Sequence, residues 1–391
     1  MRTPQEAEAA LRELPGGAAV LDAVAATPGA WVVGGAVRDA LLGRAPTELD
    51  VVLAPSDGAE PAAPPEAFAA RLGVPREAEQ MRFGTCTLMT PDGLGVDLVR
   101  ARRERYAHPG ALPEVEPADL EADLARRDVT VNAIALRPGE PLRAVARARE
   151  DLADGVLRIL HPRSFEDDAT RLWRVARYAA RLGFEPDRET AARAAAADPA
   201  RVSGPRHGNE LRRTLAEADP VGALQATQAL AAQLFPEGFA PRSTADALAL
   251  LPPGEGRPGL VALARACAGV EAARLVTWLD ALGFSAAERD VAAAGSRAVT
   301  LHPLRCATDA AGIARAARGA PLEVVALAGG AGARRWIEEL RHVGLEIDGA
   351  DLLAAGVPAG PELGARLQRA LDARVNGEAP SREAQLRVAL S

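Results

Sequence analysis

The chain has 391 residues, 48% of them apolar and 25% charged, the make-up of an ordinary globular protein whose length suggests about two to four domains. It holds no run of about 18 uncharged apolar residues, which excludes a membrane-spanning helix by pattern. Its start, Met1-Arg2-Thr3-Pro4, lacks the features of a secretory leader, so a cytoplasmic protein with no membrane partner is expected. The net charge of −7 argues against a generic nucleic-acid binder, yet the chain contains no lysine. Every long cation is therefore an arginine, the side chain that grips phosphate oxygens bidentately. Aromatics are only 3%, so the cores must rest on Ala, Leu and Val. Cys86, Cys267 and Cys306 have no metal-ligand spacing and read as reduced thiols. The five histidines show no such spacing either.

In chain order, apolar residues at helical spacing predict one helix over residues 5–26, closed by Pro28-Gly29. Trp31 to Val33 reads as a short buried strand, Val37 to Leu42 as a helix and Leu49 to Leu53 as a second strand. A Pro-rich loop is expected from Asp57 to Pro65, followed by a helix over Glu66 to Leu72. Thr85 to Thr90 and Gly95 to Val99 form a hairpin around Pro91-Asp92-Gly93. Strands then stop, apart from a short one near Val131 to Leu136. The charged, Pro-broken stretch from Arg102 to Pro113 reads as a mobile loop. From Ser164 onward the pattern is helical, broken at Gly204-Pro205, Pro252-Pro253-Gly254 and Gly356 to Gly364.

The chemistry-bearing residues concentrate in the first half. Gly34-Gly35, between a strand and a helix, would let backbone N–H groups approach a phosphate, although a Gly pair also makes a plain turn. Arg38 follows one helical turn on, facing the same mouth. Glu48 and Asp50 alternate on one strand and so share a face, with Leu49 turned inward. Paired carboxylates repel unless a cation lies between them, and Mg²⁺ held by one or two carboxylates plus substrate phosphates is the usual resolution. The alternative is two solvated acids on an edge strand. Asp97 is a candidate third carboxylate on a neighbouring strand, or a strand-end acid. Asn132, within an apolar strand, needs polar partners that a nucleotide could supply. The Arg127-Asp128 pair reads either with it or as a salt-bridged helix end. Arg171, Arg174 and Arg177 lie three apart on one helical face with Asp168. Such a face collects an anion, or is a solvated basic stripe, and its apolar neighbours favour burial.

The string Gly34-Gly35-Ala36-Val37-Arg38-Asp39-Ala40-Leu41-Leu42-Gly43, continued by Glu48-Leu49-Asp50, resembles the signature of class II nucleotidyltransferases, the CCA-adding enzymes and bacterial poly(A) polymerases. Asp123 to Ala133 resembles that family's ribose-recognising motif, and Asp167-Asp168-Ala169-Thr170-Arg171 its base-recognising motif. The resemblance implies an α+β protein: a small nucleotidyltransferase α/β head over 1–155, then an all-helical neck (156–215, with the base-recognition helix), body (216–300) and tail (301–391). It implies catalytic Glu48, Asp50 and Asp97, with metal on Glu48 and Asp50. It further implies nucleotide contacts from Gly34, Gly35, Arg38, Arg127, Asp128, Asn132, Asp167, Asp168, Arg171, Arg174 and Arg177. Asp168 and Arg171 would read the Watson–Crick edge of CTP or ATP, so that protein replaces template at the 3′ end of tRNA. The sequence departs from the family in four places: Glu48 stands where Asp is usual, Val129 where an aromatic is usual and Asp167 where Glu is often found, and Ala144-Val145-Ala146-Arg147-Ala148 replaces an Asp-Pro-x-Gly-Gly turn. A poly(A) polymerase acting on other RNA 3′ ends, or an RNA-binding relative with an impaired site, are the alternative readings. Transfer to a small non-RNA acceptor is disfavoured by the long helical remainder.

Overall fold

The computed structural model describes all residues except 56–63, 75–77, 81–84 and 297. The loop expected from Asp57 therefore lies outside the described residues as far as position 63. The chain divides into two compact units, Met1–Ser203 with Ala229–Gln233, and Gly204–Gln228 with Leu234–Ser391.

The first unit opens with α1 (Pro4–Arg12) and α2 (Gly17–Ala26), not with one continuous helix. Pro15 has no N–H to donate and disfavours the helical conformation of Leu14, and Gly16 takes φ +76°. The helical periodicity runs through the break because both helices bury their apolar stripes. A seven-stranded sheet follows, in the order β3-β4-β5-β2-β1-β8-β9. Its members are β1 (Ala30–Val33), β2 (Glu48–Leu53), β3 (Ala78–Gln80), β4 (Thr85–Met89), β5 (Gly95–Arg100), β8 (Ile134–Leu136) and β9 (Arg143–Ala144). The hairpin expected between residues 85 and 99 is β4 with β5.

Strand alternation sorts the side chains of β1 and β2 onto two faces. Val32, Leu49, Val51 and Leu53 are buried on the side of α2, α3 (Gly35–Leu41) and α4 (Pro65–Leu72). Trp31, Val33, Val52 and Ala54 pack on the other side with Leu120 and Leu124 of α5 (Leu120–Ala125). Glu48 and Asp50 share this second face but sit at the start of β2, where the apolar layer gives out.

Three expectations need correction. The stretch from Arg102 is not all loop: β6 (Arg102–Arg105) pairs antiparallel with β7 (Glu114–Pro117). Its inward positions, Arg102 and Glu104, are charged, so no apolar alternation marks the strand. Asn132 is not in a strand but ends a 3-10 turn over Thr130–Asn132. The stretch expected as a helical neck, 156–215, is not wholly helical either, because β10 (Val156–Leu157) pairs parallel with β11 (Glu185–Pro186), among α6 (Ala148–Asp154), α7 (Ser164–Asp167), α8 (Arg171–Leu182) and α9 (Arg188–Ala196).

Arg147, in the stretch that replaces the glycine turn, takes φ +66°, the only positive φ at a non-glycine position among the described residues. An L side chain there costs about 1–2 kcal/mol. Part of that returns as unfolded-chain entropy when glycine is substituted. Arg147→Gly should therefore stabilise the protein by about 0.5–1 kcal/mol in denaturant melts. A loss would mean that the long Arg147–Asp151 ion pair at 3.8 Å outweighs the backbone strain.

The second unit is helical from Gly204–Leu215 to Arg382–Leu390 and, among the described residues, has no strand. The helices at Pro258–Ala266 and Leu322–Ala328 are buried along most of their length. Phe235 and Phe239 stack at 4.1 Å, with Trp278 against them. Ile347, Leu352, Val357, Ala370 and Ala389 form a separate small core near the C-terminus. No helix among the described residues is long and apolar enough to cross a membrane.

Candidate active site

The carboxylates come together through strand register. β2 and β5 run parallel with Asp50 opposite Asp97, and Thr87 of β4 lies opposite Asp97 on its other side. Thr87 donates its hydroxyl to Asp97 Oδ1 at 2.7 Å. Glu48, two residues before Asp50, is exposed. Burial, and then the neighbouring charges of Asp97 and Glu48, push the Asp50 carboxyl up to about 6, against the pull of Arg127 and Arg174. A carboxyl raised by burial, with two more acids beside it, is short of a cation. Among the described residues no three acids, histidines or cysteines form a ready cage. The donor set therefore fits a cation bound by a carboxylate pair and completed by substrate oxygens.

Gly34 leaves room beside this strand end. It has φ +75°, and a Cβ there would lie 2.7 Å from Arg127 Nη1 and 3.4 Å from Asp50 Oδ2. Arg127 thus borders the same gap as Asp50. Its Nη2 donates to Asp123 at 3.1 Å, while its buried Nε has no protein partner. Asp123, fully buried, also receives Nε and Nη2 of Arg126.

Behind this strand end lies a closed polar network. Arg38, only 2% exposed, grips both oxygens of Asp39 and donates to Asn132 Oδ1 at 2.6 Å. Asn132 donates to Asp128 Oδ1 at 3.1 Å, as does the Val129 amide at 2.9 Å. Arg174 Nε and the Tyr178 hydroxyl donate to Asp128 Oδ2 at 2.7 and 3.0 Å. Burial opposes the charge on Asp128, but Arg174 and these donors overcome it and hold the carboxyl well below the usual carboxylate range. The guanidinium groups of Arg38 and Arg174 lie 5.5 and 5.9 Å from the centre of the Tyr178 ring, and burial pushes its hydroxyl up to about 12. The network fastens α8 to the 127–132 segment. The bridge between Val129 and Ile159 and the hydrogen bond from Arg44 Nη1 to the Arg181 carbonyl fasten it further.

The other end of α8 meets a cavity of about 380 Å³ lined by Glu104, Tyr106, Arg126, His161, Asp167 and Arg171, among others. Asp168 caps Thr170, accepting from its amide and hydroxyl at 2.9 and 2.6 Å. Asp167 pairs with Arg163 at 2.9 Å. Arg171 is buried at the cavity wall, whereas Arg177 is buried deeper in the helix.

The structure thus gathers the sequence-predicted residues into two groups: Gly34, Gly35, Glu48, Asp50, Asp97 and Arg127 around one end of the interior strands β2 and β5, and Asp167 and Arg171 at the cavity with Asp168 next to them in the chain. Arg38, Asp128, Asn132 and Arg174 connect them, and Arg174 lies near enough to Asp50 to act on its charge. Sequence reasoning gave no role to Asp123, Tyr178, Tyr106, Glu104 or His161. Asp123 and Tyr178 had a usable signal, since they stand four residues from Arg127 and Arg174 respectively, a spacing that lets side chains meet along a helix or at its end.

A Gly-Gly turn thus lies beside strand-borne carboxylates, with an arginine-bearing helix behind. Residues 30–158 match the poly A polymerase head domain. A CC-adding tRNA nucleotidyltransferase of Deinococcus radiodurans is 47% identical over 193 residues, covering 48% of this chain and 50% of that protein. An A-adding tRNA nucleotidyltransferase of Geobacter sulfurreducens is 31% identical across 92% of this chain and 44% of that protein. The chain thus spans about half the length of these relatives. A solved CCA-adding enzyme in an apo form matches 100% of this chain and 96% of its own, with a TM-score of 0.72 at 25% identity. Residues 30–158 thus match a poly A polymerase head domain, and the chain is similar to tRNA nucleotidyltransferases and to a CCA-adding enzyme.

Proposed function

We propose that this chain transfers CMP and/or AMP from CTP and ATP to the 3′ end of tRNA without a nucleic-acid template, in the cytoplasm. The observation that carries this reading is the Asp50–Asp97 register beside the Gly34 gap, with Arg127 and Arg174 acting on the same carboxyl. Glu48 and Asp50 would hold Mg²⁺, which when bound neutralises charge at the transferring phosphate and activates the attacking hydroxyl. Asp97, anchored by Thr87, lies at the same strand end and would orient the terminal 3′-hydroxyl of the RNA. Gly34-Gly35 keeps the phosphate path clear of side chains. Arg127 and Arg174 would hold the triphosphate, with Arg177 behind them on α8. Arg38 and Asp128 fix Asn132, whose amide keeps one N–H for the ribose. Asp168 and Arg171 would read the base, with Asp167 beside them. Residues 1–155 form the head on this reading, 156–215 the neck, 216–300 the body and 301–391 the tail. The helical remainder would grip tRNA by shape and phosphates.

Gel extension of three tRNA transcripts, one lacking CCA, one ending in CC and one complete, tests the proposal. Growth that stops at CC or at the final A is expected. Long tails from ATP alone would favour the poly(A) polymerase. Tight tRNA binding without extension in any metal would favour the RNA binder with a decayed site.

A further inference from the structure

The hydrogen-bond inventory of Arg171 points beyond its own role. A guanidinium has five N–H donors. Nη1 gives one to Ser164 Oγ at 2.9 Å and the other to His161 Nε2 at 3.2 Å. Nη2 gives one to the Arg126 carbonyl at 3.1 Å and lies 3.4 Å from the Tyr106 hydroxyl. Tyr106 donates its own proton to Glu104 at 2.9 Å and so can accept from Arg171. Four donors are thus spent on protein, and they set the plane in which Arg171 meets the cavity.

Three of these acceptors cannot change charge at ordinary pH, whereas the fourth is an imidazole. To accept from Arg171, His161 must be neutral, with its proton on Nδ1, which faces Asp167 Oδ2 at 4.0 Å. A proton on Nε2 would set two cations 3.2 Å apart, N–H against N–H. We propose that His161 is a positioning residue for nucleotide choice: as a neutral acceptor it fixes the Arg171 guanidinium, and protonation releases it. This rests on the reading of Arg171 as a base contact. The charged groups around the imidazole agree in direction. Burial and then Arg171 lower its pKa, Asp167 opposes and Arg163 adds to the lowering. Arg103, Glu104 and Arg126 line the same cavity. The neutral form therefore prevails near pH 7, and the charged form appears only in acid.

The test is equilibrium binding of CTP and of UTP to the full chain without RNA, from pH 8 to pH 5. Triphosphate and Asp50 titration affect both nucleotides alike and cancel in the ratio of their affinities. In the unaltered chain the preference for CTP should hold from pH 8 to about pH 6.5 and fall about two- to threefold by pH 5. His161→Gln, whose amide oxygen accepts but does not titrate, should keep the preference and make it independent of pH. His161→Ala should lower the preference at every pH. A pH-independent ratio in the unaltered chain, or an unchanged preference in His161→Ala, would overturn the inference while CTP binding itself sustains the functional reading. No CTP or ATP binding at pH 8 would overturn both.

Discussion

Asp50→Asn is expected to abolish nucleotide addition, by about three orders of magnitude or more, and at the same time to stabilise the metal-free protein. Both effects come from the same carboxyl. Its folded pKa of about 6 lies above the unfolded value near 3.8, so ionising it costs folding free energy. That cost is absent below about pH 4, grows as pH rises and is complete above about pH 6, where it reaches up to about 3 kcal/mol. Asparagine keeps the shape and removes the charge. In urea melts without divalent ion, the variant should be the more stable at pH 8 and equal to the unaltered protein at pH 4. Added Mg²⁺ should raise the stability of the unaltered protein at pH 8 and leave the variant unmoved. Equal stability of the two at pH 8 would show that burial and the neighbouring Asp97 and Glu48 do not penalise the charge on this carboxyl.

Asp128→Asn should act in the opposite direction. Asp128 accepts from Val129, Asn132, Arg174 and Tyr178. An amide offers one oxygen and turns an N–H₂ toward a donor. Removing one partner of a buried ion pair costs about 3–5 kcal/mol, and the half-exposed Arg174 side chain reduces this to about 2–4 kcal/mol. Because the folded carboxyl is held below its unfolded value, its stabilisation is present above about pH 4 and fades as pH falls through the folded pKa. The stability gap between the two proteins should therefore be wide at pH 7 and narrower at pH 2.5. Activity should fall too, since α8 carries both Arg171 and Arg174. A gap of the same size at both pH values would mean that shape, and not charge, holds α8.

Much of the head was legible because its signals are local. The alternation of β2 placed Glu48 and Asp50 on one face, and the Pro91-Asp92-Gly93 turn placed the hairpin. The parallel register that sets Asp97 opposite Asp50 was not legible, since it depends on how β4 and β5 return to the sheet. The β6–β7 hairpin escaped because its inward residues are charged: Glu104 is matched by Arg126 at 2.8 Å and Arg102 by Glu104 at 3.5 Å. Asn132 read as a strand residue because the apolar run around it is real, but its side chain is claimed by Arg38 and Asp128 in a turn. The acceptors of Arg171 come from three separate segments, at Tyr106, Arg126 and His161 to Ser164, and no spacing rule joins them.

The central claim is that protein residues choose the nucleotide and Asp50 enables its transfer. The most direct measurement is label incorporation from each of the four nucleoside triphosphates, given singly, into a tRNA transcript that lacks CCA and into one ending in CC. The unaltered chain and Asp50→Ala would be compared with Mg²⁺ present and chelated. The account predicts label from CTP on the first transcript, from ATP on the second, or both, none from GTP or UTP, and none without Asp50 or metal. Incorporation that ignores the identity of the nucleotide, or that survives Asp50→Ala, would contradict it.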